Sequence, residues 1–113
     1  MKGKTANIHP ALMDILLLLE QEMGFELTVT SGQRDEATNT EAGGVVGSEH
    51  TYHPAEGADV LCKQSITRYK MLHWLLAHDV RRIGIGQDFL HVGIADDKPQ
   101  FVAWHYYPVK KDA

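Results

Sequence analysis

Three side chains of this 113-residue chain combine metal-ligand chemistry with placement in or beside short apolar runs. They are His50 in a long polar segment, Asp59 near the start of Gly57-Ala-Asp-Val60, and His91 within Phe89-Leu-His-Val-Gly93. Two neutral imidazoles and a carboxylate are a natural set for Zn²⁺, and three protein ligands leave a fourth position open to water. Zinc lowers the pKa of such a water toward neutrality and polarises a carbonyl, so hydroxide becomes available to attack an amide at ordinary pH. A carboxylate beside the metal that is not itself a ligand can take the water's proton and hand it to the leaving amine. Asp88, three residues before His91, is the candidate for that task. Arg34 adds a fixed cation suited to a carboxylate or a developing oxyanion. Spacing alone leaves this as one arrangement among several. His50 also reads as a solvated loop residue, His91 as the exposed face of an antiparallel strand, Asp88 as turn chemistry and Arg34 as a surface partner of Asp35 or Glu36.

Composition narrows the field. Seven histidines stand beside one cysteine, Cys62, so no internal disulfide forms and a metal must be held by nitrogen and oxygen. Eleven Lys and Arg against fifteen Asp and Glu give a net charge of −4, the wrong sign for gripping nucleic acid or anionic lipid. Apolar residues at 43% and charged residues at 23% argue for a folded globule, and the length suits a single domain over residues 1–113. The longest apolar stretch, Ile15 to Leu19, is too short to span a bilayer. No secretory signal is visible, which predicts a soluble product of the cytoplasm, and a monomer is expected.

Several elements must position the candidates. Leu12, Ile15, Leu16, Leu19 and Met23 recur at helical spacing, with Pro10 suited to the first turn and Gly24 to the stop. Glu26 to Thr30 alternates like a strand with one buried face. Ser31 to Glu56 reads as a long irregular segment, and its specific polar groups favour function. Gly57 to Cys62 is a strand candidate, and Ser65 is expected to cap a helix whose inward face is Ile66, Tyr69, Leu72 and Leu76 and which ends near His78. Strands are predicted at Arg82–Ile85, Phe89–Ile94 and Phe101–Tyr107, joined as a meander. The fold class is therefore α+β: a small antiparallel sheet with helices packed on one side.

Ser31-Gly-Gln-Arg34, Asn39, Gly43-Gly44 and Ser48-Glu-His50, followed by Gly57-Ala-Asp-Val60, Arg82-Ile-Gly-Ile-Gly86, Phe89-Leu-His-Val92, Lys98-Pro-Gln100 and Trp104, stand in a telling order. That order and spacing resemble the zinc-dependent peptidoglycan peptidases of the D-alanyl-D-alanine carboxypeptidase type, the M15 peptidase family, over about Thr28 to Tyr107. The resemblance implies a hedgehog/DD-peptidase-like fold, with Zn²⁺ on His50, Asp59 and His91 and Asp88 as general base. It implies Arg34 on the substrate carboxylate or tetrahedral intermediate. Ser48 is expected to buttress the first ligand, and Arg34, Ser48, Trp104 and His105 to contact substrate.

Three departures accompany it. The segment between the first histidine and the aspartate is about two residues longer than the family's, so His53 competes with His50; the register to Arg34 and Asn39 favours His50. Gln33 stands where the family tends to have tyrosine. Gly93 stands where it tends to have aspartate, which removes a carboxylate that would orient the second histidine.

The resulting expectation is hydrolysis of an amide in a peptidoglycan stem peptide, by a carboxypeptidase or endopeptidase acting at the cell wall or periplasm, as small phage-encoded lytic peptidases do. The alternative is a catalytically inactive module that keeps the fold and binds wall peptide. A purely structural metal, closed by a fourth ligand such as His53, is the third reading. His9, His73 and His78 are expected at helix ends or on the surface, and Cys62 in the core.

Overall fold

The computed structural model describes residues 1–108. Helix α1 spans Pro10–Met23. His9 caps it, with Nδ1 accepting from the Ala11 N–H at 3.0 Å, and Pro10 occupies the first turn, where a missing N–H costs nothing. Gly24 ends the helix at φ 77°, a left-handed conformation that glycine adopts without strain. Leu12, Leu16 and Leu19 are buried, as their spacing predicts.

Six strands make one mixed sheet: β1 (Lys2–Gly3), β2 (Thr28–Ser31), β3 (Gly57–Leu61), β4 (Arg82–Ile85), β5 (Phe89–Gly93) and β6 (Val102–His105), in the order β1-β2-β3-β5-β4-β6. The four central strands are antiparallel neighbours, while β1 joins β2 and β6 joins β4 in parallel. The α+β class is the expected one. The expected meander is not formed: β6 passes β5 and pairs with the far side of β4, Arg82 opposite Val102. Arg82 holds this crossing by donating from NH1 to the Pro99 carbonyl at 2.7 Å. Gln100 Nε2 closes the connection by donating to the carbonyls of Ala95 and Lys98.

The segment expected to be irregular contains a short helix α2 (Glu36–Glu41), capped by Asp35, and a 3₁₀ turn at Glu49–Thr51, capped by Ser48. Helix α3 spans Ser65–Ala77. Its cap position is Gln64, not Ser65, which is the first helical residue. The inward face also differs from the expected one: Met71, Trp74 and Leu75 are buried, while Ile66, Tyr69 and Leu76 are exposed. The helix carries apolar residues on more than one side, and contact with α1 and the sheet selects the row containing Met71 and Leu75.

Helices α1 and α3 cover one face of the sheet, burying Val29, Ala58, Val60, Ile83, Leu90 and Val92, with Cys62 in the same core. Each fully buried Leu, Ile or Val side chain contributes about 1.5–3 kcal/mol. Side chains alternate across a strand, so the residues between those core positions, Asp59 in β3 and His91 in β5, emerge on the opposite face. Register places the two directly across from one another.

Candidate metal centre

His50, Asp59 and His91 form the one group among the described residues whose ligand atoms converge. Asp59 Oδ1 lies 3.1 Å from His50 Nε2 and 2.9 Å from His91 Nδ1, and the two nitrogens are 3.2 Å apart. On a tetrahedron with bonds of about 2.0–2.1 Å, ligand atoms stand about 3.3 Å apart. The triangle is close to one face of such a tetrahedron, and its chemistry, two imidazoles and a carboxylate, suits zinc. All three residues are buried.

Each ligand is also held from behind. His50 Nδ1–H donates to the Gly32 carbonyl at 2.7 Å; because a carbonyl only accepts, the proton sits on Nδ1 and the Nε2 lone pair faces the centre. His91 Nε2–H donates to Glu49 Oε2 at 2.6 Å, which turns Nδ1 inward. The other oxygen of Asp59, Oδ2, accepts from Arg34 NH2 at 3.4 Å. Outward partners of this kind fix ring orientation and tautomer in metal sites.

Charge is distributed accordingly. Burial pushes the Asp59 carboxyl up, but the imidazoles of His50 and His91 against it outweigh that and hold the group well below the usual carboxylate range. Glu49 is likewise opposed by burial and lowered by His91 and Arg82. Burial lowers the His91 imidazolium, yet the carboxylates of Asp59 and Glu49 on either side raise its pKa above the ordinary value. Without metal, His91 thus donates at both ends; giving up the Nδ1 proton turns that atom into a ligand.

The chain around the ligands explains the choice between the two loop histidines. The Glu56 N–H donates to the Glu49 carbonyl at 3.1 Å, closing a short excursion that carries the additional residues outward. Ala55 anchors this excursion by accepting from the His9 N–H and donating to the Asn7 carbonyl. His53 ends up exposed, its Nε2 3.0 Å from Gln33 Nε2, away from the convergent atoms. A fourth ligand from His53 is therefore not present.

The other expected residues fall at graded distances from the centre. Arg34 is bound on three sides, to Ser31 Oγ at 2.7 Å, Asn39 Oδ1 at 3.3 Å and Asp59, with 15% of its side chain exposed. Ser48 caps the 3₁₀ turn, its Oγ accepting from the His50 N–H at 3.3 Å. Asp88 lies exposed at the β4–β5 turn, outside the hydrogen-bonded cluster; its carbonyl accepts from the Cys62 N–H at 2.8 Å. Trp104 stands with its ring 5.4 Å from that of His91. His105 alternates to the other side of β6, is exposed, and lies at the rim of the cleft. That cleft, about 580 Å³, opens beside His91 between Val45, Val46, Arg82 and Trp104. His9 and His78 cap or end helices, with the His78 ring stacked on Trp74, and His73 is exposed.

Two residues at the site were not singled out by sequence. Glu49 is 2% exposed and also accepts from Arg82 Nε and the Ala95 N–H. Tyr106, half exposed, lines the cleft, and partial desolvation of its hydroxyl, reinforced by the charges of Asp59 and Glu49, raises the pKa of its phenol.

A buried His-Asp-His set on the open face of a small mixed sheet, with a cleft alongside, is a group that could hold a metal ion. The chain belongs to the Peptidase M15 family, whose model matches residues 2–95. No curated protein and no solved structure matches it. Among the described residues no helix is long and apolar enough to cross a membrane.

Proposed function

We propose that this peptidase uses Zn²⁺ to hydrolyse an amide bond in peptidoglycan stem peptides, as a carboxypeptidase or endopeptidase. The observation that carries the metal assignment is the convergence of His50 Nε2, Asp59 Oδ1 and His91 Nδ1, each oriented by a partner behind it. Bound there, zinc would supply a water acidic enough to ionise near neutrality and would polarise the scissile carbonyl. His50, Asp59 and His91 would hold the ion. Asp88, exposed and outside the buried cluster, would take a proton from the attacking water and return it to the leaving amine. Arg34 keeps a positive charge beside Asp59 that offsets negative charge developing at the reaction centre. Trp104, Ser48 and His105 border the path by which a short peptide enters.

Gly93 alone would favour a module that binds wall peptide without cutting it. The carboxylate of Glu49 on His91 supports the active reading instead, since the ligand is oriented despite that glycine. The wall peptide is the partner inferred from the family resemblance, with action outside the cytoplasmic membrane. The test combines zinc content of the purified chain with release of D-alanine or cleavage of cross-links from purified sacculi. Asp88→Ala is expected to keep the zinc and lose turnover by at least a hundredfold. A folded, zinc-loaded chain that leaves every stem peptide intact would exclude the enzymatic proposal.

A further inference from the structure

We propose that Glu49 is the positioning residue that fixes His91 as a metal ligand, and that Gly93 is the space Glu49 requires, so that positions 49 and 93 are alternative sources of one carboxylate. The inference rests on the metal assignment above. Gly57 and Gly93 face one another across β3 and β5, two residues from the Asp59–His91 pair. A Cβ at position 93 would stand 2.2 Å from Glu49 Oε2 and 2.5 Å from its Cδ and Oε1. A Cβ at position 57 would stand 2.5 Å from Glu49 Cγ and 2.8 Å from His91 Cε1. The facing glycines therefore make a slot in the sheet surface, and the glutamate carboxylate lies in it.

Backbone conformation does not explain the glycine at 93. Its φ is outside the left-handed region, and the three atoms nearest to a Cβ there all belong to the carboxylate of Glu49. That carboxylate is fully engaged: Oε2 accepts from His91 Nε2 at 2.6 Å, Oε1 accepts from the Ala95 N–H at 3.2 Å, and Arg82 Nε donates to both oxygens at 3.1 and 3.2 Å. Arg82 is itself placed by Pro99 and by the Trp104 ring, 5.2 Å from its guanidinium carbon. Glu49 thus cannot swing away without leaving Arg82 and His91 behind, which is what a residue that sets ring orientation needs. A side chain growing from position 93 would aim its own terminal atoms at the volume Glu49 now fills. An aspartate there, with Glu49 removed, would carry a carboxylate to His91 from two residues along the same strand.

The experiment measures Zn²⁺ affinity of the full chain by chelator competition, with thermal stability of the metal-free form recorded in parallel. Glu49→Ala is expected to bind zinc 10- to 100-fold more weakly. Gly93→Asp alone is expected to weaken binding as well, because two carboxylates contend for one space. The double variant, Glu49→Ala with Gly93→Asp, is expected to bind at least tenfold more tightly than Glu49→Ala. Equal effects of Gly93→Asp in both backgrounds, or wild-type affinity in Glu49→Ala, would overturn the proposal. Glu49→Gln preserves shape and removes charge, so it serves if the alanine variant fails to fold. It is expected to weaken zinc several-fold and to shift the absorption bands of the Co²⁺-substituted chain; unchanged affinity and bands would likewise overturn the proposal. Failure of the metal assignment reads differently, as a wild-type chain that binds no zinc.

Discussion

Removing the metal should reverse the pH dependence of stability. In the metal-free chain His91 lies between Asp59 Oδ1 at 2.9 Å and Glu49 Oε2 at 2.6 Å, with His50 Nε2 beside its Nδ1 at 3.2 Å, Arg34 on the other oxygen of Asp59 and Arg82 on Glu49. Burial disfavours its charged form, but the two carboxylates prevail and its pKa is raised above 6.5. The native state therefore holds a proton that the unfolded chain releases near pH 6.5. Stability from this group is full below that pH and is lost as pH rises through the folded-state pKa, with a slope of up to about 1.4 kcal/mol per pH unit. Asp59 and Glu49 act with the opposite sign. Their pKa values are lowered, so their contribution is present above the ordinary carboxylate range and disappears on acidification. The metal-free chain should thus be most stable at about pH 5 to 6.5. The proton belongs to the coupled cluster and not to one ring. Met1's amino group, raised by Glu20, has the same sign as His91 but acts only from its ordinary value of 8.0 upward, so the window from pH 6.5 to 7.5 isolates the cluster. With zinc present, binding displaces the Nδ1 proton, which cancels that decline, and stability should instead rise gently with pH across the window as the unfolded histidines lose their remaining protons. Chemical denaturation at matched pH, with chelator and with excess zinc, measures both slopes. Metal-free stability that climbs between pH 6.5 and 7.5, or a slope indifferent to zinc, would refute the reasoning.

Two further outcomes follow from particular residues. His50→Ala should abolish stoichiometric zinc binding while His53→Ala retains it, since only His50 reaches Asp59; zinc analysis after dialysis decides, and the reverse result would mean that the loop refolds around the ion. On α3, Leu75→Ala should cost about 2–5 kcal/mol and Leu76→Ala within about 0.5 kcal/mol, because the first is fully buried and the second is 63% exposed; thermal melts of the metal-free chain distinguish them.

The contrast between α1 and α3 shows where sequence suffices. In α1 the apolar residues that must be buried lie on one stripe, with Asp14, Glu20 and Glu22 marking much of the remainder, so the inward face is legible. In α3 Ile66, Tyr69, Leu72 and Leu76 make one helical row and Met71, Trp74 and Leu75 another. Periodicity cannot choose between them; the core does. The strands follow the same division. Arg82–Ile85 and the neighbouring turn are local and appear where expected, whereas β6 joins β4 in parallel through Arg82 and Pro99, a contact no local pattern encodes.

At the site, His50, Asp59 and His91 were legible because ligand chemistry restricts them to few residue types. Glu49 was not, for a physical reason that extends beyond this chain. A glutamate between Ser48 and His50 in a polar segment reads as a solvated charge, and nothing nearby in sequence says that it is 2% exposed. The residue that betrays it is 44 positions away (93 − 49), the bare Cα of Gly93, and the two become related only when register brings β3 against β5 and the 3₁₀ turn over both. A ligand imidazole needs a carboxylate at a point in space, not at a point in the sequence. Comparing motifs position by position therefore counts Gly93 as a loss and Glu49 as nothing, while the geometry makes them one substitution. The same comparison misjudges the ligand register, where two added residues between His50 and Asp59 leave the metal triangle intact by leaving the sheet altogether. What such a site constrains is the set of distances around His91, and a chain can meet it with side chains drawn from different elements.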